Sequence, residues 1–462
     1  RVYIMLEVII LAAGKGTRMV SNLPKVLHKV AGKPMLQHVL DTCTDLGAER
    51  LHVVYGFGGE LLREKILNDE VNWIIQPEQN GTGHAVDIAI SHVNDDSTVL
   101  VLYGDVPMIS AESLKNLLEA AGNRSVGLLT ANLQDGGSYG RIVRDEYKCF
   151  KSIVEHRDAT PEQCQINEIN TGFLAAPAGK LRQWLTRLEC NNAQGEYYLT
   201  DIFEMAVADG VNVETCQPVE NSEILGINDR QDLAAVERIY QQHQATIFMQ
   251  SGLAISDPAR FDVRGNLTHG KDCSIDINVI IEGDVALGDR VTIGPNCYLK
   301  NMQIGDDVEV RANSVLEEST IGELAIIGPF SRIRPQSEIS SFAHIGNFVE
   351  IKKSHVGSAS KVNHLSYIGD TEIGADVNIG AGVITCNFDG ANKFKTIIGD
   401  NAFIGSDSQL VAPVEIGRGA TIGAGSTITR NAPADELTLS RPDQKTREGW
   451  KRPLKKSESK KN

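Results

Sequence analysis

The chain has 462 residues, 41% of them hydrophobic and 23% charged, with a formal net charge of −15. That length is too great for one ordinary domain and suits two or three. The acidic balance excludes broad nucleic-acid binding, although a small anionic ligand needs only local positive charge. No stretch reaches the roughly 18 uninterrupted apolar residues of a membrane helix. The early run "VIILAA" is strand-sized, and it carries no signal-peptide cleavage region. The chain opens on Arg1, and Met5 is a candidate start. The eight cysteines include no CxxC pair and no zinc-spaced cluster, so they read as reduced thiols of a cytoplasmic protein.

From "EVIILAAG" to about Asn228, short apolar runs alternate with amphipathic stretches. "EVIILAAG", "RLHVVYG", "VNWIIQ" and "STVLVLYGD" read as buried strands. "KPMLQHVLDTCTDLG", closed by glycine, and "GHAVDIAISHV" read as helices. Strands alternating with helices imply a mostly parallel sheet covered on both faces, with ligands at the carboxyl ends of its strands. "LAAGKGTRM" connects the first strand to a predicted helix, so its backbone can approach phosphates closely. It is neither a Rossmann fingerprint, because Met19 stands where the last glycine is needed, nor a P-loop, because GK[ST] is missing. "LPK" adds the cation of Lys25 within reach of that turn.

"NDRQDLAAVERIYQQHQATIFMQSG" reads as one long connecting helix closed by Gly252. From Ile275 onward, aliphatic residues recur at every sixth position with occasional five-residue steps: Ile275, Ile281, Leu287, Ile293, Leu299, Ile304 and so on to Ile379, then Ile398 to Ile428. Helices repeat near 3.6 residues and half-buried strands at 2, so neither explains the pattern. It implies a triangular solenoid in which each unit makes a short strand and a corner, the aliphatic residue points inward, and glycine permits the tight corner. Three units make a coil of about 18 residues, stacked about 4.8 Å from the next. "CNFDGANKFKT" interrupts the repeat and reads as an outward loop at a corner. The last segment, "KTREGWKRPLKKSESKKN", is basic; it reads as a solvated terminus, with a polyanion or membrane contact as the alternative.

The turn from Leu11 with Lys25, succeeded in order by Gln76, "QNGTG", "LYGDVP", "YGR", "VEH", "NTG", "GEYYLTD" and "GIND", resembles the sugar-nucleotidyltransferases (pyrophosphorylases). With the repeat half included, the chain resembles the bacterial bifunctional enzymes that join an N-acetylglucosamine-1-phosphate uridyltransferase to a glucosamine-1-phosphate acetyltransferase. The resemblance covers about Leu6 to Pro453. It implies an α/β Rossmann-like nucleotidyltransferase domain over residues 1–229, a linker helix over 230–250, a left-handed parallel β-helix of hexapeptide repeats over 251–441 and a basic tail over 442–462. It implies Mg²⁺ as cofactor, UTP and acetyl-CoA as co-substrates, sugar phosphates as the small-molecule partners and a homotrimer formed through the β-helix.

Residue by residue, the resemblance assigns Leu11, Ala12, Ala13, Gly14, Arg18 and Lys25 to the UTP phosphates, and Gln76, Gly81 and Thr82 to uracil and its surroundings. Tyr103, Gly104 and Asp105 belong to the same nucleotide site. Gly140, Glu155, Asn170 and Thr171 would hold the N-acetylated sugar, and Asp105 with Asn228 the Mg²⁺. In the repeat half it assigns Arg334, Lys352, Tyr367 and Asn378 to glucosamine-1-phosphate, and makes His364 the general base, oriented by Glu350. Ala381, Asn387, Phe388, Ser406, Ala424 and Arg441 match acetyl-CoA contacts; Phe388 stands where the family is expected to carry tyrosine, which puts any contact through that hydroxyl in doubt. Lys393 and Lys395 in the break are further candidate phosphate contacts. Two other readings compete. One is a single-function pyrophosphorylase with a decorative solenoid, which leaves the His364 constellation unexplained. The other is an interaction scaffold with a degenerate catalytic domain, against which the complete turn with Lys25, Asp105 and Asn228 counts.

Overall fold

The computed structural model describes residues 5–14, 16–56, 58–66, 68 and 70–453; Lys15 of the glycine-rich turn and residues 454–462 of the basic tail lie outside them. The chain divides into two compact units, residues 1–247 and 248–462.

In the first unit the central strand, Leu6–Ala12, lies between Thr98–Tyr103 and Arg50–Tyr55, parallel to both. Val71–Ile75 extends the sheet on one side. Alternation along the central strand feeds two cores. Val8, Ile10 and Ala12 pack with the helices Met35–Asp45 and Ala111–Ala121, while Ile9 and Leu11 pack with Thr82–Ile90, Ala178–Leu185 and Asp201–Ala208. The sheet is less parallel than the sequence pattern implied. Glu168–Pro177 runs antiparallel between Thr98–Tyr103 and Val126–Asn132, because hairpin connections through Arg141–Arg144 and Phe150–Val154 replace helical crossovers there. The long helix, Arg230–Gln250, sets Val236 and Tyr240 against Val30, Met35 and His38.

The second unit is a three-faced parallel β-helix. One face is a ladder of short strands running from Ala254–Ile255 to Leu437–Thr438. The other two begin as continuous strands, such as Phe261–His269 and Val279–Leu287, that turn a corner. They separate above Val315–Ile321, which pairs with both Arg332–Ile333 and Glu338–Ile339. Every periodic aliphatic residue from Ile275 to Ile428 is inside, none more than 5% exposed.

The corners differ from the expectation that glycine turns them. Apart from Gly328, with φ 96°, the repeat glycines directly after the periodic aliphatic residues are not left-handed. A Cβ on Gly305 would lie 2.8 Å from the Glu323 nitrogen, and one on Gly294 2.9 Å from the Ala312 nitrogen, so these glycines let successive coils approach. The left-handed positions fall elsewhere and are mostly not glycine: Asn278, Asn296, Asn313, Phe330, Phe348 and Leu365 form one column with φ between 48° and 60°. Such a conformation costs a side-chain-bearing residue about 1–2 kcal/mol, while burying one interior Ile or Leu returns roughly 1.5–3 kcal/mol. The interior therefore fixes the corners. It follows that Gly305→Ala lowers the thermal midpoint of the repeat unit by several degrees, whereas Leu324→Asn, at an exposed corner with φ 59°, leaves it unchanged or raises it. Calorimetry of the two variants checks this.

Candidate active site

Where the central strand's two neighbours diverge, at the carboxyl ends of Leu6–Ala12 and Thr98–Tyr103, lies a cavity of about 310 Å³. Leu11, Ala12, Ala13, Gly14, Lys25, Gln76, Gly81, Thr82, Tyr103 and Asp105, which the resemblance grouped at a nucleotide site, line it together. The turn is held from outside by Gln79, whose amide donates to the Ala13 carbonyl. Gly16 has φ 58°, and a Cβ there would stand 2.8 Å from the Lys25 Cβ, so the glycine brings Lys25 up to the turn. Gly81 needs both its φ of 108° and its missing side chain, because a Cβ would meet the Tyr197 carbonyl oxygen at 2.6 Å. The Gln76 amide nitrogen is committed to the Gly81 carbonyl at 3.3 Å and to His84 at 3.2 Å, which leaves its oxygen to meet a ligand.

The Lys25 ammonium is bonded to the Asp105 carboxylate and lies 3.3 Å from the Asn228 side-chain oxygen. Asn228 reaches this point because the Ile227 nitrogen donates to the Asp105 carbonyl at 3.0 Å and the Asn228 nitrogen to Asp232 at 2.8 Å. Two hard oxygens from distant segments thus converge on one cation, a donor set that suits Mg²⁺ supplemented by phosphate and water. Gly104 lies beneath, its nitrogen bonded to the Leu11 carbonyl. Arg18 is exposed and does not line the cavity.

The residues that the resemblance assigns to the sugar form an adjoining group. The Asn170 nitrogen donates to the Gly140 carbonyl, and Gly140 faces the Glu155 carboxylate. Glu155 lines a second recess of about 360 Å³ with Asp158, Thr200 and Asp201. Burial holds its carboxyl above the usual range despite a 3.1 Å bond from Thr200, and the Asp158 charge pushes the same way. The Thr171 hydroxyl is turned away, donating to the Leu129 carbonyl at 2.6 Å. Tyr103 stands between the two recesses; burial first, then the Glu155 and Asp105 charges, keep its phenol protonated. Gln79 and Glu196 also line the first cavity; the sequence pattern gave neither a role, although both lie inside the motifs named above.

On the β-helix the sequence-derived residues fall into two groups. Arg334, Lys352 and Tyr367 lie on one face. Lys352 lies beside Lys393 and 3.3 Å from Asp370; those neighbours raise its pKa against the cost of burial. Lys393 is pushed below the ordinary lysine range by the adjacent Lys352. The two lysine ends, with the Asp370 carboxylate facing them, put local positive charge on this face. Lys395 shares a recess with Lys393, but its ammonium is taken by Glu372 at 2.8 Å on the next face. Glu350 does not orient His364; it accepts from Arg334 at 2.8 Å.

His364 ends the strand Lys361–His364 on the adjoining face and is exposed. Above it Ala381, Ser406 and Ala424 stack along one corner through the bonds Gly382 to His364, Asp407 to Ala381 and Gly425 to Ser406. Arg441 closes the row with a 2.6 Å bond to the Ala424 carbonyl. Asn378 opens a strand of the same ladder as His364, away from Lys352. The break is a small loop closed by a bridge between Phe388 and Lys393, with Phe388 59% exposed.

Residues 8–169 match the MobA-like NTP transferase domain. Residues 266–301 and 395–430 match the bacterial transferase hexapeptide, six repeats. The chain joins a nucleotidyltransferase-type domain to transferase hexapeptide repeats. Among solved structures, a nucleotidyl transferase from Methanothermobacter thermautotroptrophicus is 18% identical, with 54% of this chain and 99% of that one covered and a TM-score of 0.37. A UDP-glucose pyrophosphorylase complexed with UDP-glucose is 16% identical, with 52% and 100% covered and a TM-score of 0.44. Among the described residues no helix is long and apolar enough to cross a membrane.

Asp201 supplies a test of the second recess. Burial, then the charges of Glu204, Glu155 and Asp158, push its carboxyl up to about 6. An acid raised in the folded state stabilises the fold only while protonated, so its contribution is complete below about pH 4 and is lost as pH rises through about 6. Asp201→Asn therefore stabilises the protein at pH 8 by about 1 kcal/mol, after discounting for solvent screening, and has no effect near pH 3.5. Urea unfolding at the two pH values checks it.

Proposed function

We propose that the chain is a bifunctional enzyme of UDP-N-acetylglucosamine synthesis. The repeat unit acetylates glucosamine-1-phosphate from acetyl-CoA, and the first unit then transfers UMP from UTP to N-acetylglucosamine-1-phosphate, releasing pyrophosphate. The observation that carries this reading is that each unit gathers its own anion-handling cations, beside a nucleotide-sized cavity in one and an exposed imidazole in the other.

In uridylyl transfer the sugar phosphate attacks the α-phosphorus and the bond to pyrophosphate breaks. An anion attacking an anion needs neutralisation and alignment more than a protein nucleophile. The Gly14 turn and Lys25 cradle the triphosphate, with Arg18 at its outer edge. Gln76 meets the uracil, and Gly140, Glu155 and Asn170 hold the sugar. Asp105 and Asn228 would hold Mg²⁺, which supplies charge to offset that of the phosphates when bound.

In acetyl transfer the sugar amine attacks the thioester carbonyl. The C–N bond forms, the C–S bond breaks, the thiolate of CoA leaves and His364 takes the amine proton. A neutral imidazole accepts such a proton on its free ring nitrogen. Arg334, Lys352 and Lys393 take the sugar phosphate, with Tyr367 beside them. The small side chains at Ala381, Ser406 and Ala424 leave room for an extended acyl carrier along the corner, with Asn387 and Arg441 as polar contacts; the Phe388 side chain offers only an apolar one. His364 and Asn378 lie on a different face from Lys352. A homotrimer whose sites are shared between copies would unite them. The stacked Phe330 and Phe348 rings, 5.2 Å apart and exposed, offer it an apolar surface. A cytoplasmic location agrees with the substrates and with the eight free thiols.

His364→Ala lowers acetyl transfer by about 10²–10⁴-fold and leaves uridylyl transfer near wild type; Asp105→Ala does the reverse. Separate assays of the two half-reactions decide it: loss of both activities in either folded variant contradicts the division of labour.

A further inference from the structure

Asp370 has no assigned role, yet it sits where the two substrates of acetyl transfer would meet. It comes directly after Gly369 at the end of the strand Tyr367–Gly369 and turns the corner with φ 49°. The left-handed backbone alone distinguishes nothing, because Asn301, Glu318, Gln336 and Lys353 turn the same corner in the coils below. The side chain does. Its carboxylate is only 12% exposed and takes two partners from different coils: the Lys352 ammonium at 3.3 Å and the Asn387 amide. The Asp370 carbonyl accepts from the Thr396 nitrogen at 3.2 Å, so the same residue ties down the far end of the loop that begins at Asn387. Gly369 supplies the floor. A Cβ there would stand 2.5 Å from the Tyr367 hydroxyl and 2.8 Å from the Asn387 amide nitrogen, so Tyr367, Asn387 and the Asp370–Lys352 pair all converge over one bare backbone position. Asp370 is also the carboxylate that faces the mutually repelling Lys352 and Lys393.

We infer that Asp370 is a positioning residue for acetyl transfer, fixing Lys352 on the sugar-phosphate side and Asn387 on the acyl-carrier side in one register. The inference rests on the acetyltransferase reading given above. A carboxylate beside a phosphate site weakens phosphate attraction by charge alone, so its gain must come from geometry. Without it the two ammonium groups splay apart and Asn387 loses its acceptor. Misplacement of this kind lowers the rate of the step more than it weakens binding, and a shift of about 1 Å is worth up to ~10²-fold.

Asp370→Asn tests this in the full-length protein, since asparagine tolerates the left-handed corner and preserves volume. The expected result is a fall of roughly 10- to 100-fold in kcat for acetyl transfer from acetyl-CoA to glucosamine-1-phosphate. KM for the sugar phosphate should change less than about threefold, and the thermal midpoint and uridylyl transfer should stay at wild-type values. A second comparison uses Asn387→Ala alone and combined with Asp370→Asn. If Asp370 acts through Asn387, the double variant loses much less than the product of the two single losses. Unchanged kcat in Asp370→Asn, strictly multiplicative losses, or a loss matched by a fallen thermal midpoint would overturn the positioning role. Absence of acetyl transfer in the wild-type protein would instead refute the acetyltransferase reading itself.

Discussion

A half-buried lysine–aspartate pair completed by an asparagine organises both units. In the first unit it is Lys25, Asp105 and Asn228; in the second it is Lys352, Asp370 and Asn387. Taking an ammonium and a carboxylate partly out of water is costly, and the pair repays that cost only when its geometry is held. Each pair is therefore built where the backbone is rigid. Asp105 lies just past a strand buried in the middle of a sheet, and Lys352 and Asp370 lie on adjacent coils fixed by Ile351 and Ile368 inside the prism. What the pair gives in return is orientation, because a lysine stem has four rotatable bonds and a strongly hydrated head that would otherwise wander.

This arrangement reconciles a net charge of −15 with the two sets of anionic substrates proposed above. The overall field disfavours phosphate, so the attraction must be local, and local attraction requires cations gathered by structure. The neighbouring Lys352 and Lys393 repel each other, which lowers the pKa of Lys393, and the loop from Asn387 to Lys395 is the device that keeps them together. Its Asp389 carboxylate accepts from the backbone nitrogens of Ala391 and Asn392, which stiffens the turn before Lys393.

The parts of this molecule that could be read from sequence are those set by short-range periodicity. The six-residue recurrence from Ile275 to Ile428 marks the buried residues of the β-helix correctly, and the apolar runs before Gly14 and Gly104 mark the strands that carry the first cavity. Contacts between distant segments were not legible. Nothing local says that Lys395 pairs with Glu372 or that Glu350 turns to Arg334 and away from His364. The antiparallel Glu168–Pro177 was hidden because its apolar run looks the same in either direction. Corner conformation was misassigned for a physical reason: glycine in the repeat answers to the approach of the next coil, while the left-handed turn is imposed even on Phe330 and Phe348 by the residues buried beside them.

The most direct measurement is product analysis by mass after incubating the protein with glucosamine-1-phosphate, acetyl-CoA, UTP and Mg²⁺, omitting each in turn. With all present, UDP-N-acetylglucosamine and pyrophosphate form; without UTP, N-acetylglucosamine-1-phosphate accumulates; without acetyl-CoA, no nucleotide sugar appears. A nucleotide sugar formed without acetyl-CoA, or no acetylated sugar in the absence of UTP, would contradict two independent anion sites acting in sequence.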